Sequence, residues 1–526
     1  CNIRSEGEAL MSKMPVKESF ISYIARSIKE GLREVLTYNM GRVGLAILVF
    51  MVVMSIYSII VLPGDFPAMW RYVTEPPWIY NPRSALPSWV EYLGFDVSET
   101  RTYTAIRPQE SRVIINPDDL FRYAPEVERA LGARRVALIG YLEVYRVEYN
   151  LDSRSYPQDI IVLFNVKASE NVNLTNIRVI ALLYVTRPDD VILKIGELSV
   201  SLNMLNYMKA THEYFSLPYI SYYNLNLTLE EMKTYFNIAI FGKPITSREF
   251  ESLRGTYQIT LVLLYIGIDP REISRLIADR SLSVSVDIKV LGTSYGLLGT
   301  DIYGRDLFMG LLFGFPVALT IGFLVSLAIV AIGLTLGVIS GYFGGRIDEI
   351  IQRAIDIIAN IPLLPILILV GVAIQTQGWT GWPALSIIMI ILVAFSWGGV
   401  AIISRSMALS IKSEPYIEAA KALGASTTRI IFRHIIPQII PYAMAALVFG
   451  VPSAIIAEAG LSVLGIDHGL PTWGRLLADA QANRGVAYNM WWWVLPPGLL
   501  LGLFSFAFVA LGFTLETIVE PRLRRR

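Results

Sequence analysis

Six apolar runs, near residues 43–62, 314–340, 363–376, 384–404, 438–460 and 491–514, constrain this chain more than any other feature. About 20 apolar residues in a helix cross ~30 Å of hydrocarbon, where only an internally bonded backbone is stable. The runs therefore predict membrane-spanning helices. The third is short, and Pro452 is expected to interrupt the fifth. Composition agrees: 17% of the 526 residues are charged and 54% hydrophobic, against roughly 25% charged in soluble domains.

Lysine and arginine set the orientation. Lys13, Lys17, Arg26, Lys29, Arg33 and Arg42 precede the first run. Arg346 and Arg353 follow the second, and Arg405, Lys412, Lys421, Arg429 and Arg433 follow the fourth; Arg522, Arg524, Arg525 and Arg526 end the chain. The alternate loops hold none in 377–383 and only Arg475 and Arg484 in 466–490. Positive loops stay inside, so both termini are expected in the cytosol of a multi-pass plasma-membrane protein. Residues 18–37 alternate apolar Phe20, Ile24, Ile28, Leu32 and Val35 with basic residues, as in a helix lying on the inner surface. No cleavable signal is apparent. Cys1 is expected to reflect the choice of start site, with Met11 and Met14 as other starts.

The same parity puts residues 64–296 outside the cell. Segments 136–149, 160–166, 177–185, 258–266 and 282–290 are rich in β-branched and aromatic residues between turn formers. They predict a β-sandwich. The sequons at Asn173 and Asn226 suit an external position.

Several chemistries are excluded. A net charge of +1 gives no field for nucleic acid. The lone cysteine allows no internal disulfide and no thiolate metal site. His212, His434 and His468 are too scattered for a metal or catalytic set. Gly242-Lys243 is followed by Pro244 and lacks a phosphate-loop glycine before it, so any ATP must bind another chain.

The loop between the fourth and fifth runs is too ordered for a connector. Ser413 and Glu414 can cap and charge a helix, and Pro415 fits its first turn. Gly424 suits a left-handed end, Ser426 or Thr427 can cap a second helix, and Pro437 closes or kinks it. The first helix is too short to be stable alone and should dock on a soluble partner.

Glu418-Ala419-Ala420, Gly424 and Pro437 together resemble the coupling-loop motif of bacterial and archaeal ABC importer permeases. The run from Leu298 through Thr300, Asp301, Tyr303, Gly304 and Arg305 to Asp306 is similar to the segment before the second span of the dipeptide/oligopeptide/nickel permease family. Gly341-Tyr342-Phe343-Gly344-Gly345-Arg346-Ile347-Asp348, with Arg353, Asp356 and Pro362, is similar to its first cytosolic loop. Leu461-Ser462-Val463-Leu464-Gly465, Pro471-Thr472-Trp473-Gly474 and Glu520-Pro521-Arg522-Leu523 complete the pattern. The likeness covers about 297–526 and the first span; the large 64–296 insert departs from it.

The resemblance implies an α-helical polytopic membrane protein: six transmembrane helices in a type I ABC importer permease fold, with an inserted, mainly-β extracellular domain. It divides the chain into a cytosolic amphipathic segment (1–42), a first transmembrane helix (43–63), the insert (64–296) and a five-helix core (297–526) with a coupling loop at 405–437. It implies partners: a second permease subunit in a heterodimer, two ATPase subunits carrying ATP and Mg, and an extracellular substrate-binding protein. The chain itself would be no enzyme and bind no cofactor. The coupling residues would be Glu414, Glu418, Ala419, Ala420, Gly424 and Arg429. Peptides are the implied cargo, with oligosaccharides or nickel complexes as alternatives. A mechanotransmission protein with a large external domain is a reading of another class.

Other residues carry two readings. Glu458, with Ser462 one turn on, could line the pathway or act as a structural hydrogen-bonder near the outer mouth. Asp301, Arg305 and Asp306 read as structural groups at the outer face. Gly333, Gly337 and Gly341 favour close helix packing. Arg353 and Asp356 suggest a local ion pair, and Trp491, Trp492 and Trp493 an interfacial belt.

Overall fold

The computed structural model describes residues 33–116, 122, 139–211, 219–220, 223, 225–228, 231, 236–246 and 249–519. Most of the 18–37 segment, His212 and the terminal arginines lie outside that set. The described chain forms two compact units, one of residues up to Trp70 and from Met309 onward, the other Arg71–Phe308.

The helical unit holds α1 Asn39–Val61, α2 Phe66–Arg71, α3 Leu307–Phe343, α4 Gly345–Asn360, α5 Leu363–Thr376, α6 Trp382–Ser396, α7 Gly398–Lys412, α8 Pro415–Ala422, α9 Thr427–Ile430, α10 Ile436–Val463, α11 Trp473–Ala482 and α12 Trp491–Val519. Among the described residues, five helices are long and apolar enough to cross a bilayer: α1, α3, α6 running on into α7, α9 running on into α10, and α12. The third apolar run behaves differently. It is α5, whose 14 residues reach only ~21 Å. It pairs with α4 across a 72° bend. Ile361 is extended there (φ −82°, ψ 121°), the conformation favoured before a proline, and Pro362 is the N-cap of α5.

Pro452 does not interrupt the fifth span. α10 is continuous through both Pro441 and Pro452. Helices in a bundle tolerate proline where packing holds them. Ser326 on α3 donates its hydroxyl at 2.7 Å to the carbonyl of Leu447, the residue before Val448, whose own carbonyl Pro452 leaves without its helical N–H.

The glycine repeat on α3 is a packing device, as its spacing suggests. A Cβ on Gly333 would lie 2.6 Å from Val400, and one on Gly341 would lie 2.6 Å from the Arg405 carbonyl. Helices α3 and α7 thus meet backbone to backbone. The tryptophan triplet differs from expectation: Trp492 and Trp493 are buried within the bundle, at 8% and 1% exposure, so they form no lipid-facing belt. Composition marks an aromatic helix start but not the face a neighbour covers; here Gly485, after α11, packs against Trp493.

The Arg71–Phe308 unit is built of antiparallel sheets. Its strands are β1 Arg101–Ile106, β2 Glu110–Ile114, β3 Gly140–Leu151, β4 Asp159–Ala168, β5 Arg178–Thr186, β6 Ile192–Ser201, β7 Tyr207–Lys209, β8 Gly242–Pro244, β9 Phe250–Ser252, β10 Gly255–Ile266 and β11 Leu282–Leu291. A four-stranded sheet runs β1-β11-β4-β7 and a five-stranded one β2-β3-β10-β5-β6; β8 and β9 pair alone. Alternate residues of both larger sheets, among them Tyr145, Ile160, Leu183, Leu261 and Ile288, share one core. This is a sandwich, and the five strands expected from sequence are β3, β4, β5, β10 and β11.

The two legs of this unit are tied together. Thr300 donates its hydroxyl to the Pro82 carbonyl at 2.7 Å, and Asn81 donates its amide to the Gly304 carbonyl at 3.0 Å. Further up, the Ser98 amide reaches the Thr293 hydroxyl, and β1 pairs with β11 from Arg101↔Val290.

Candidate functional site

The elbow between α7 and α10 is held on one side and bare on the other. Ile417 of α8, fully buried, packs with Val338 and Tyr342 of α3, Ala408 of α7, and Ile430, Ile431, Ile435 and Ile439. Lys412 and Lys421 each sit 5.7 Å from the Tyr342 ring. Tyr416 is hydrogen-bonded to Gln438 of α10. Burial of Ile417 therefore fixes an eight-residue helix that could not persist alone.

Three local details differ from the sequence reading. Neither Ser413 nor Glu414 caps α8 through its side chain: Ser413 turns back to the Ser410 carbonyl at 2.8 Å, and Glu414 is extended with no cap bond. Pro437 does not close the second helix. It lies inside the run from α9 into α10, directly after a π-turn over Ile431–Ile435, and the helix continues past it. Ser426, by contrast, caps α9 through the Arg429 amide, and Gly424 takes the left-handed conformation (φ 81°).

Glu414, Glu418, Ala419 and Arg429 lie on the exposed face and Ala420 is half-buried. Sequence reasoning missed their neighbour Leu423. It is 88% exposed at the tip, directly before Gly424, and Phe432 follows at 66%.

A second cluster ties α7, just before the elbow, to α4. The Arg405 guanidinium forks onto Asp348, Nε to Oδ1 and Nη2 to Oδ2, both at 2.5 Å. Ser340 donates to the same carboxyl. The ion pair expected between Arg353 and Asp356 does not form. Both project from the exposed face of α4, while Asp348 shares the buried face with Ile355.

A third cluster closes the other end of the bundle. Glu458 on α10 is 3% exposed. Its Oε1 accepts from Ser462 at 2.9 Å, from Thr472 at 2.8 Å and from His468 Nε2 at 2.9 Å. His468 Nδ1 takes the Leu470 amide, which leaves its proton on Nε2 as donor. Thr472 also caps α11. Glu458 and Ser462 are thus brought together with two residues not singled out in the sequence. Thr472 sat inside a recognised motif; His468 had been set aside with the scattered histidines, because only the folding back of the 464–472 loop creates the contact.

Asp301, Arg305 and Asp306 stand in the leg of the β unit. Asp301 is fully buried; its Oδ2 receives Arg305 Nε at 2.5 Å and its Oδ1 receives the amides of Tyr303 and Arg305 at 2.9 Å. Burial holds its carboxyl above the usual range against the pull of Arg305. Asp306 accepts the Phe308 amide at the start of α3. Between α7, α10 and α12 lies a cavity of about 750 Å³, lined by Met407, Gln438, Tyr442, Phe449 and Glu516 among others.

Comparison with known proteins bears on these features. A family model described as "Binding-protein-dependent transport system inner membrane component" matches residues 333–525. The dipeptide transport system permease protein DppC of Bacillus subtilis is 34% identical over 229 residues, 43% of this chain and 69% of its own. The oligopeptide transport system permease protein OppC of the same organism is 33% identical over 229 residues, 43% of this chain and 72% of its own. OppC of Haemophilus influenzae is 33% identical over 232 residues, 44% of this chain and 71% of its own. A multi-pass helical bundle with this elbow, matched to this degree, belongs to the ABC importer permeases of the peptide-transport family.

Proposed function

We propose that this chain forms half of the translocation pathway of a peptide importer and takes its driving force through the α8–α9 elbow. The observation that carries this reading is the two-faced elbow: Ile417 locked into α3, α7 and α10, with Glu418, Leu423 and Arg429 exposed. A partner gripping that face would move all three helices as one body, because α3 and α7 are in backbone contact and Arg405 adds α4 through Asp348. This is alternating access by rigid-body motion. The partners are two ATPase subunits holding ATP and Mg, a second permease and a substrate-binding protein. The chain itself is a permease and not an enzyme.

In this arrangement α4 and α5 together make a sixth span, both termini are cytosolic and the sandwich is extracellular. The dipeptide and oligopeptide permeases it resembles favour peptides as cargo. The large cavity has the size of a small-solute site, and Gln438 and Glu516 offer it polar ends. The mechanotransmission alternative gives way to the family membership.

The test is a reconstituted complex. Glu418→Lys, Gly424→Pro and Leu423→Asp should each leave membrane insertion intact, cut transport at least tenfold and weaken its link to ATP turnover. Normal uptake in all three variants would refute the assignment.

A further inference from the structure

The importer reading says nothing of how the sandwich is steadied where it meets α3. Residues Ser88–Leu93 form a 3-10 turn ended by Gly94 in the left-handed conformation (φ 85°). The turn exposes Tyr92 at 91%, Leu93 at 65% and Phe95 at 47%, with Trp89 at 36% beside them. Such a cluster in water is unfavourable unless something apolar meets it.

Its place in the fold says what meets it. The Ser88 amide donates to the Gly296 carbonyl at 2.9 Å, and the Trp89 indole N–H to the Leu297 carbonyl at 2.8 Å. Leu297 is itself 56% exposed. Two residues on, the Gly299 carbonyl accepts the amide of Leu307, the first residue of the spanning helix α3, at 3.2 Å. Chain reach therefore keeps the Trp89 indole within roughly 15 Å of Leu307, and about 10 Å of helix separates Leu307 from the apolar run that begins near residue 314. Tryptophan and tyrosine favour the boundary of a bilayer, where one edge is wet and the body is apolar. Residues 84–100 contain no lysine or arginine, and the polar cavity that Glu91 and one side of Phe95 line with Asp96 and Glu99 holds Arg101, which is already paired with Glu99 at 3.3 Å. Attraction to anionic headgroups is thus not the basis of the contact.

We propose that the 88–95 turn is a membrane anchor, with Tyr92, Leu93 and Phe95 seated at the headgroup–acyl boundary of the leaflet where α3 begins. The anchor fixes the sandwich at a second point besides its two chain connections. It depends only on α3 entering the bilayer, not on importer activity.

Site-directed spin labelling tests it. The full chain, with Cys1→Ser and either Tyr92→Cys or Leu93→Cys, carries a nitroxide in phosphatidylcholine nanodiscs. Met204→Cys, at a turn position 70% exposed, is the aqueous reference. The ratio of oxygen to nickel-chelate accessibility should be severalfold higher at positions 92 and 93 than at 204, and unchanged between about 50 and about 500 mM salt. A ratio equal to that at 204 means a water-exposed turn and overturns the proposal. Shielding from both reagents means a protein cover and overturns it equally. Two labelled positions guard against one misfolded variant, and no transport is measured, so the outcome is separate from that of the coupling test.

Discussion

Glu458 shows how one buried carboxyl can organise a whole corner of a bundle. Its Oε1 gathers Ser462, His468 and Thr472, and these residues position the 464–472 loop and the start of α11. Glu458→Ala would leave three buried donors without their acceptor and should cost about 3–5 kcal/mol. Glu458→Gln keeps an acceptor and should cost nearer 1 kcal/mol. Thermal melting in detergent, together with protease cleavage of the loop, would distinguish the two. The sequence flagged the carboxylate by its cost in a membrane but could not supply its partners, since two of them arrive from a loop ten and fourteen residues on. In the sandwich, burial lifts Asp159 to about 6, against the opposing pull of its Ile160 amide and Lys209. A raised carboxyl pKa means a penalty that is absent below the unfolded value near 4, grows as pH rises, and is complete above about 6. Asp159→Asn should therefore raise the melting temperature of the full chain at pH 7.5 and leave it unchanged near pH 4.

At the scale of elements, the apolar runs were legible because hydrocarbon thickness imposes their length. The bend between α4 and α5 was legible only as a short run beside Pro362; its 72° angle depends on packing. Five long strands were readable, while the ten-residue β6 was missed. Its alternation falters at Gly196, where the pairing with β5 slips between Leu183 and Tyr184. The Asp348–Arg405 fork is a further element-scale feature that no local spacing predicts, because its partners are 57 residues apart. It joins α4 to α7 just before the elbow. Asp348→Asn should lower transport per ATP hydrolysed severalfold with little change in expression. The exchange Asp348→Arg with Arg405→Asp should restore part of it. Equal loss of both activities in the single variant, without rescue, would mark the fork as merely structural.

For the whole molecule, the division into a helical unit and a sandwich sets how the insert can be removed. Cutting 70–290 would sever the hydrogen bonds between the legs. Cutting between Arg101 and Val290, which face each other across β1 and β11, keeps Asn81–Gly304 and Thr300–Pro82 intact. A two-residue glycine bridge should close that gap, since paired strands lie about 5 Å apart. The shortened chain should insert and assemble normally. If the sandwich receives the substrate-binding protein, uptake should fall at least tenfold while basal ATP turnover persists; full uptake would show the sandwich dispensable for transport.

The paired legs have a wider consequence. A domain whose two connections leave through one narrow neck asks almost nothing of the helices that carry it, because they need not move apart to admit it. Such a module can be swapped for another, or lost, by recombination at the neck alone. The helical unit of this chain would then keep its packing whichever domain the neck carried.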